Sequence, residues 1–258
     1  MTLRDNQTNV FLDYASGYDA PNPMIQAKID HSLRVASFSE AIAESLNRAD
    51  IDPSFAWFLG LVHDIGRFEQ VRRYGTFLDR DSVDHAELGA DILFRDGLID
   101  SFPADSFPAQ WRKISECAIR LHNKLKLPLD LDPLTETYST ILRDADKTDI
   151  FRVIAELPFE TRIGSSSSLF SDTDTVSKDV MAYVTRHECI PRAILSSRLD
   201  AAVSHLCLAF ELVYPKTKEL VRKQGYLKQL LKSTEKTLSS PAALAQFAII
   251  RIELYPFL

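Results

Sequence analysis

Glycine and cysteine are scarce in this sequence, which has 8 glycines and 3 cysteines in 258 residues. So few glycines argue against a sheet protein rich in tight turns, and no stretch alternates convincingly between apolar and polar residues. The cysteines are odd in number and far apart in the chain, at Cys117, Cys189 and Cys207. They therefore predict no disulfide framework and suit a reducing compartment.

Long apolar runs and an excess of positive charge are also absent. The longest apolar run, residues 55–62, is far shorter than the roughly 20 residues that cross a bilayer. The first residues lack the apolar segment of a secretory signal. The net charge of −6 argues against a general nucleic-acid binder, which needs a basic face. We therefore expect a soluble, cytoplasmic protein without a membrane partner or an extended nucleic-acid partner.

The sequence is rich in helical periodicity, because apolar residues recur at steps of three and four. This pattern predicts five helices in the first part of the chain, over 23–48, 52–66, 82–97, 111–122 and 132–156, with an arginine-rich connection from Arg67 to Asp81. A polar loop near 164–175 precedes further helices predicted at 176–187, 193–213, 216–232 and 240–252. The prediction is an all-α helical bundle, with a core over residues 1–158 and a helical C-terminal extension over 159–258 packed on it as one compact unit.

Four of the six histidines lie on predicted helix faces that are otherwise apolar, and two aspartates do the same. These residues are His31, His63, His85 and His122, with Asp64 and Asp146. A single histidine on such a face is usually a packed core residue. Six ionisable residues on five successive helices instead predict a bound cation, because a buried carboxylate needs a partner. Imidazole and carboxylate ligands without thiolates suit Mn, Fe, Ni or Zn, with Mg as a further candidate. Six ligands exceed what one tetrahedral zinc takes, so two ions are predicted.

The order of these residues resembles the HD-domain superfamily of metal-dependent phosphohydrolases. The pattern is an isolated histidine, His31, then the doublet His63-Asp64, then a distal aspartate, each on its own helix. The distal aspartate lies in residues 142–149, which resemble the family's Asp-Ala-Asp-Lys segment. We prefer Asp146 because it shares a helix face with Leu142 and Ile150, and Asp144 is the alternative. The additional His85 and His122 match the two-metal branch, and the resemblance covers about residues 25–155.

This resemblance implies a ligand set and a reaction. One metal would be bound by His31, His63, Asp64 and Asp146, and the second by His85 and His122, with Asp64 bridging. The implied function is hydrolysis of a nucleotide or other small phosphoester through a metal-activated water. Asp64, Lys147 and Arg67 are the predicted catalytic residues. Lys147 directly follows a ligand and Arg67 lies one turn beyond the doublet, so both are predicted phosphate contacts.

Two alternatives use the same ligands. Some HD proteins hold a mixed-valent di-iron centre and cleave carbon–carbon or carbon–phosphorus bonds with dioxygen, and a metal-stabilised module could bind a nucleotide without turnover. The Gly-Tyr-Pro signature of cyclic-di-GMP phosphodiesterases is absent from the sequence. His187 and His205 are predicted to be structural. The basic segment 216–236 predicts a solvated helix face, with a site for an anionic partner as the alternative, and a homo-oligomer is left open.

Overall fold

A computed structural model describes residues 2–19, 21–103, 109–156 and 173–258, without the side chains of residues 109 and 110. Within these ranges the chain is built of α-helices and short 3-10 or π-helical turns, and it has no β-strand. The predicted all-α fold is confirmed. No helix in the described ranges is long and apolar enough to cross a membrane.

The chain forms two compact units, residues 1–146 and residues 147–258. The helices of the first unit are α1 (Leu3–Ser16), α2 (Pro23–Ser45), α3 (Pro53–Val62), α4 (Gly66–Tyr74), α5 (His85–Ala90), α6 (Ala109–Leu121) and most of α7 (Pro133–Glu156). Those of the second unit are α8 (Lys178–Thr185), α9 (Arg198–Cys207), α10 (Pro215–Gln224), α11 (Tyr226–Glu235) and α12 (Pro241–Leu254). The division between the two units falls within α7, after residue 146. The predicted boundary at residue 158 and most of the predicted loop over 164–175 lie outside the described residues.

Each unit has its own apolar core. In the first unit, the nearly all-apolar α3 supplies buried side chains such as Phe58 and Leu61, which pack with Phe11 of α1 and Phe68 of α4. The core of the second unit includes Val203, Leu206 and Phe247, among others. Burial of such side chains is the main source of stability for helices this short.

Three helices that carry predicted metal ligands, or precede them, begin at side-chain caps. The side chain of Asn22 accepts a hydrogen bond from the Met24 amide at 2.9 Å at the start of α2. Asp52 accepts one from the Ser54 amide at 2.8 Å, and Asp84 accepts one from the Ala86 amide at 3.0 Å. These caps satisfy amides that have no partner within their own helix, and so fix where each helix starts.

The segment after the His63-Asp64 doublet is a helix, and the predicted connection from Arg67 was wrong over its first half. Residues 66–74 form α4 because Phe68 and Val71 lie one turn apart and are buried. The three arginines in the same segment concealed this short apolar face in the sequence. The helix ends at Gly75, whose φ of 64° is a left-handed conformation that glycine adopts without strain.

Several other helix limits differ from the predictions. The helix predicted at 82–97 begins at His85 and continues as a π-helical turn over Asp91–Arg95. The helix predicted at 216–232 is interrupted at Gly225, where φ is 76°. The N-terminal helix α1 was not predicted, because its sequence is largely polar apart from a few residues such as Phe11.

Two glycines allow close approach of the helices that carry the candidate ligands. A Cβ on Gly60 of α3 would lie 2.6 Å from the Ala36 Cα of α2, closer than real carbon atoms approach. A Cβ on Gly66 would lie 2.3 Å from the carbonyl oxygen of His85. The absence of a side chain at both positions therefore brings α2 against α3, and α4 against α5.

Candidate metal centre

Four of the predicted ligands meet where α2, the end of α3 and α7 come together. The Nε2 atom of His31 lies 3.1 Å from Oδ1 of Asp146 and 3.5 Å from Oδ2 of Asp64. The Nε2 atom of His63 lies 3.7 Å and 3.5 Å from the same two oxygens. His31, His63 and Asp64 are buried, and Asp146 is partly exposed. Two nitrogens and two carboxylate oxygens thus converge on one point.

The other two predicted ligands converge on the second oxygen of Asp64. Nε2 of His85, the first residue of α5, lies 3.4 Å from Asp64 Oδ1. Nε2 of His122, just after α6, lies 3.8 Å from the same oxygen and 3.0 Å from Nε2 of His85. Both histidines are buried. Asp64 therefore faces one pair of histidines with each of its two oxygens.

The rings of His63 and His122 are held so that their Nε2 atoms point into these groups. The Nδ1 of His63 donates to the carbonyl oxygen of Gly60 at 2.8 Å, and that of His122 donates to the carbonyl of Ile119 at 2.6 Å. A carbonyl oxygen only accepts, so Nδ1 of each of these two rings carries a proton. The Nε2 of His63 is a buried nitrogen without a hydrogen-bond partner in the described part of the chain.

His85 is oriented by a carboxylate. Its Nδ1 donates to Asp79 Oδ2 at 2.6 Å, an arrangement that is common behind metal-ligating histidines. The Nε2 atoms of His85 and His122 face each other at 3.0 Å, which is unfavourable unless a proton or a cation lies between them. Imidazole nitrogens grouped with carboxylate oxygens are ligands that divalent transition metals prefer. The histidines and aspartates that converge here could therefore hold a metal ion.

The pKa values of the site favour this ligand chemistry. Burial alone would raise the pKa of Asp64, but the charge of Lys28 and the neighbouring His63 and Arg67 hold it well below its ordinary value. Burial likewise opposes ionisation of Asp146, and the neighbouring imidazoles of His31 and His63 outweigh it, so the pKa of Asp146 is also well below normal. Burial lowers the pKa of His85 to about 4 against the opposing effect of Asp79. At neutral pH the carboxylates are charged and this ring is neutral.

Asp146 rather than Asp144 joins the convergent groups. Asp144 is buried, but it belongs to none of the histidine and carboxylate groups found among the described residues. The helix face shared with Leu142 and Ile150 predicted the same choice.

The two predicted phosphate contacts differ in their surroundings. Nε of Arg67 lies 3.5 Å from Asp64 Oδ1, and its Nη1 donates to the Phe77 carbonyl at 2.6 Å and to Asp79 Oδ1 at 2.9 Å. Lys147 follows Asp146 on α7 but belongs to the second unit. Its ammonium pairs there with Glu211, with Nζ 2.6 Å from Oε2. Arg67 thus lies beside the bridging carboxylate, and Lys147 has a carboxylate partner of its own.

Sequence reasoning missed two charged residues at the site, Lys28 and Asp79. Nζ of Lys28 lies 2.5 Å from Asp64 Oδ2, and its position three residues before His31 could have indicated a shared helix face. Asp79 lies in a 3-10 turn, Asp79–Asp81, six residues before His85. No helical spacing relates those two residues, so the sequence offered no signal for their contact.

Comparison with known proteins agrees with the ligand pattern. Residues 29–150 match the family model described as HD domain. The comparisons with curated proteins and with solved structures gave no match to the chain. The matched stretch includes all six residues of the two convergent groups and all or most of each helix that carries them. The chain therefore contains an HD domain, over residues 29–150.

Proposed function

We propose that this protein is a metal-dependent phosphohydrolase that acts on a nucleotide or another small phosphoester. The observation that carries the proposal is the position of Asp64 between two histidine pairs. Its Oδ2 faces His31 and His63, each at 3.5 Å, and its Oδ1 faces His85 and His122 at 3.4 and 3.8 Å. A carboxylate placed in this way can bridge two cations.

The residues divide naturally between two divalent cations, with Mn, Fe, Ni, Zn or Mg as candidates. His31, His63 and Asp146 would hold one ion, His85 and His122 the other, and Asp64 both. When bound, two such ions acidify a water molecule and stabilise the attacking and leaving oxygens of an in-line displacement at phosphorus.

Positive side chains next to the carboxylates support an anionic substrate. Lys28 and Arg67 both lie within 3.5 Å of an Asp64 oxygen. They keep Asp64 ionised and add positive charge at the place where a phosphoryl group would approach. Asp79 orients His85 and also accepts a hydrogen bond from Arg67. Arg67 and Lys147 remain predicted phosphate contacts.

Elemental analysis of the purified protein, followed by a phosphoester and nucleotide screen with Mn, Fe, Ni and Mg, tests the proposal. The diagnostic variant is Asp64→Asn, which keeps the side-chain shape and removes the charge. We expect it to lose bound metal and phosphate release together. The matched control is His187→Gln, which alters an exposed histidine that pairs with Glu253 in the second unit, and it should retain both.

Other outcomes would replace the proposal. If Asp64→Asn kept its metal content and its turnover, the assignment of the site would be wrong. Iron-dependent uptake of dioxygen with cleavage of a carbon–carbon or carbon–phosphorus bond would identify the protein as an oxygenase on the same ligands. Tight metal binding without turnover of any tested phosphoester or oxygenase substrate would favour a nucleotide-binding module.

A further inference from the structure

Lys28 places a cation at the edge of the buried ligand groups. Its Nζ lies 2.5 Å from Asp64 Oδ2 and 5.3 Å from the centre of the Phe77 ring. The Lys28 side chain is 14% exposed, against 3% for Asp64. Lys28 is therefore the more exposed partner of this ion pair, and Asp64 is the buried one.

Lys28 and the two predicted phosphate contacts, Arg67 and Lys147, are not equally free to bind a substrate. Nη1 of Arg67 already donates to acceptors on three residues, Gln70, Phe77 and Asp79. Lys147 is paired with Glu211. Lys28 has a single ion-pair partner in the described part of the chain, Asp64. That partner is also the carboxylate with the largest number of candidate metal contacts.

Cation binding at Asp64 weakens the ion pair between Asp64 and Lys28. A carboxylate whose charge is shared between cations is a weaker partner for an ammonium group. The four-carbon stem of lysine lets the ammonium turn to another acceptor, and its three N–H donors suit a phosphate oxygen. We infer that Lys28 binds a phosphate oxygen of the substrate when Asp64 holds its cations. When Asp64 holds no cation, Lys28 forms an ion pair with Asp64 instead. This inference rests on the proposed function, since it assigns a substrate contact within the same site.

Two opposite effects are expected of the variant Lys28→Met: tighter metal binding and weaker phosphate binding. Lys28→Met keeps the apolar stem and removes a cation that competes for Asp64. The affinity of the variant for Mn²⁺ should therefore be at least about three times that of the wild type. The Mn-loaded variant should bind inorganic phosphate about tenfold more weakly, because a charge-assisted hydrogen bond is lost. Isothermal titration calorimetry measures both affinities, and elemental analysis confirms the metal content. Lys28→Arg should restore most of the phosphate affinity, and Lys126→Met, at an exposed lysine near His122, should change neither.

The outcomes separate this inference from the function on which it rests. A fully metal-loaded Lys28→Met protein with the phosphate affinity of the wild type would overturn the role of Lys28 and leave the proposed function standing. Loss of metal from Lys28→Met would also overturn it, because Lys28 would then support the ligands instead of competing with the cations. Wild-type protein that takes up no metal would overturn the proposed function itself, and with it this inference.

Discussion

The imidazole rings of the metal centre are oriented in two physically different ways. His63 and His122 each donate from Nδ1 to the backbone carbonyl three residues earlier, Gly60 and Ile119. Their orientation therefore comes with the end of the preceding helix. His85 depends on the side chain of Asp79, which lies outside its helix. The orientation and basicity of His85 can thus be altered by a substitution that leaves every proposed ligand in place.

Asp79→Asn is expected to weaken metal binding at the His85–His122 pair. The amide can still accept a hydrogen bond from Nδ1, but it lacks the negative charge that makes Nε2 of His85 a stronger ligand. Loss of such a supporting carboxylate typically costs about 10–100-fold in metal affinity. Titration with Mn²⁺, followed calorimetrically, measures the change. Asp81→Asn alters an exposed residue of the same turn and should bind as the wild type does. Equal affinities for the two variants would contradict the role given to Asp79.

Glu69 supplies a pH-dependent contribution to stability away from the metal centre. It is buried on α4 and pairs with Arg72 and Arg73. Burial alone would raise its pKa, but the hydrogen bonds from these arginines outweigh burial and lower the pKa below the ordinary 4.5. A carboxylate with a depressed folded-state pKa stabilises the fold above its unfolded pKa, and this contribution is lost as the pH falls through the folded value.

The free energy of unfolding of Glu69→Gln should therefore depend less on pH on the acid side. Between about pH 6 and pH 3 the wild type should lose more stability than the variant, because only the wild type has this carboxylate to protonate. Urea unfolding at the two pH values measures the difference. Glu44→Gln, at an exposed position of α2, serves as the control and should follow the wild type. A parallel loss of stability in Glu69→Gln and wild type would show that the ion pairs contribute nothing.

At the scale of helices, the site depends on how closely α2 and α3 pack. His31 is on α2 and His63 directly follows α3. A Cβ on Gly60 would meet the Ala36 backbone nitrogen at 2.7 Å as well as its Cα at 2.6 Å. Because these are backbone atoms, no side chain can rotate away, and only a shift of a whole helix could relieve the contact.

Gly60→Ala should accordingly destabilise the protein and disturb the metal centre together. Overpacking of this kind costs about 1–3 kcal/mol, which urea denaturation can measure. Movement of α2 away from α3 should separate His31 from His63 and reduce Mn²⁺ affinity in a calorimetric titration. Gly17→Ala is the control, since its new Cβ would lie 3.3 Å from the Tyr14 carbonyl oxygen, a much milder contact than that at Gly60. Unchanged stability in Gly60→Ala would show that the helices are less tightly packed than the structure indicates.

The same helices show what sequence patterns can and cannot predict. The periodicity of apolar residues predicted α2, α3 and α7 well, because each presents a continuous buried face, and the order of the ligands on them indicated the HD domain that the family comparison confirms. The helix α4 was missed because its apolar face has only two large residues, Phe68 and Val71, and most of its other residues are charged or polar. The roles of the six ligands remain predictions, supported by their convergence.

Contacts made by side chains on irregular segments were beyond the sequence. The Asp79–His85 contact joins a 3-10 turn to a helix, so neither period of three nor of four relates the two residues. Lys28 lies one turn before His31, so the sequence predicts that the two share a helix face. Nothing in the sequence, however, distinguishes Lys28 from other lysines on helix surfaces. Local spacing identifies which residues share a face, whereas the partners across that face depend on how the helices pack.

For the whole molecule, the two units differ in what they contribute to the proposed function. Every candidate metal ligand lies in residues 1–146, and so do both tryptophans of the sequence, Trp57 and Trp111. Tryptophan fluorescence therefore reports on the unit that would hold the metal. A cation that binds only the folded state raises the free energy of unfolding in proportion to the logarithm of its concentration relative to Kd.

Removal of metal should lower the stability detected by tryptophan fluorescence. At a free Mn²⁺ concentration of 100 times Kd, binding adds about 2.7 kcal/mol to the free energy of unfolding, so chelation with EDTA should shift the urea midpoint down by a corresponding amount, and added Mn²⁺ should restore it. In Asp64→Asn, which should not hold the metal, EDTA should leave the midpoint where it is. An equal shift in wild type and Asp64→Asn would mean that the chelator acts elsewhere on the protein. A midpoint of the wild type that does not respond to Mn²⁺ would mean that the carboxylates and histidines of this unit bind no cation in the folded state.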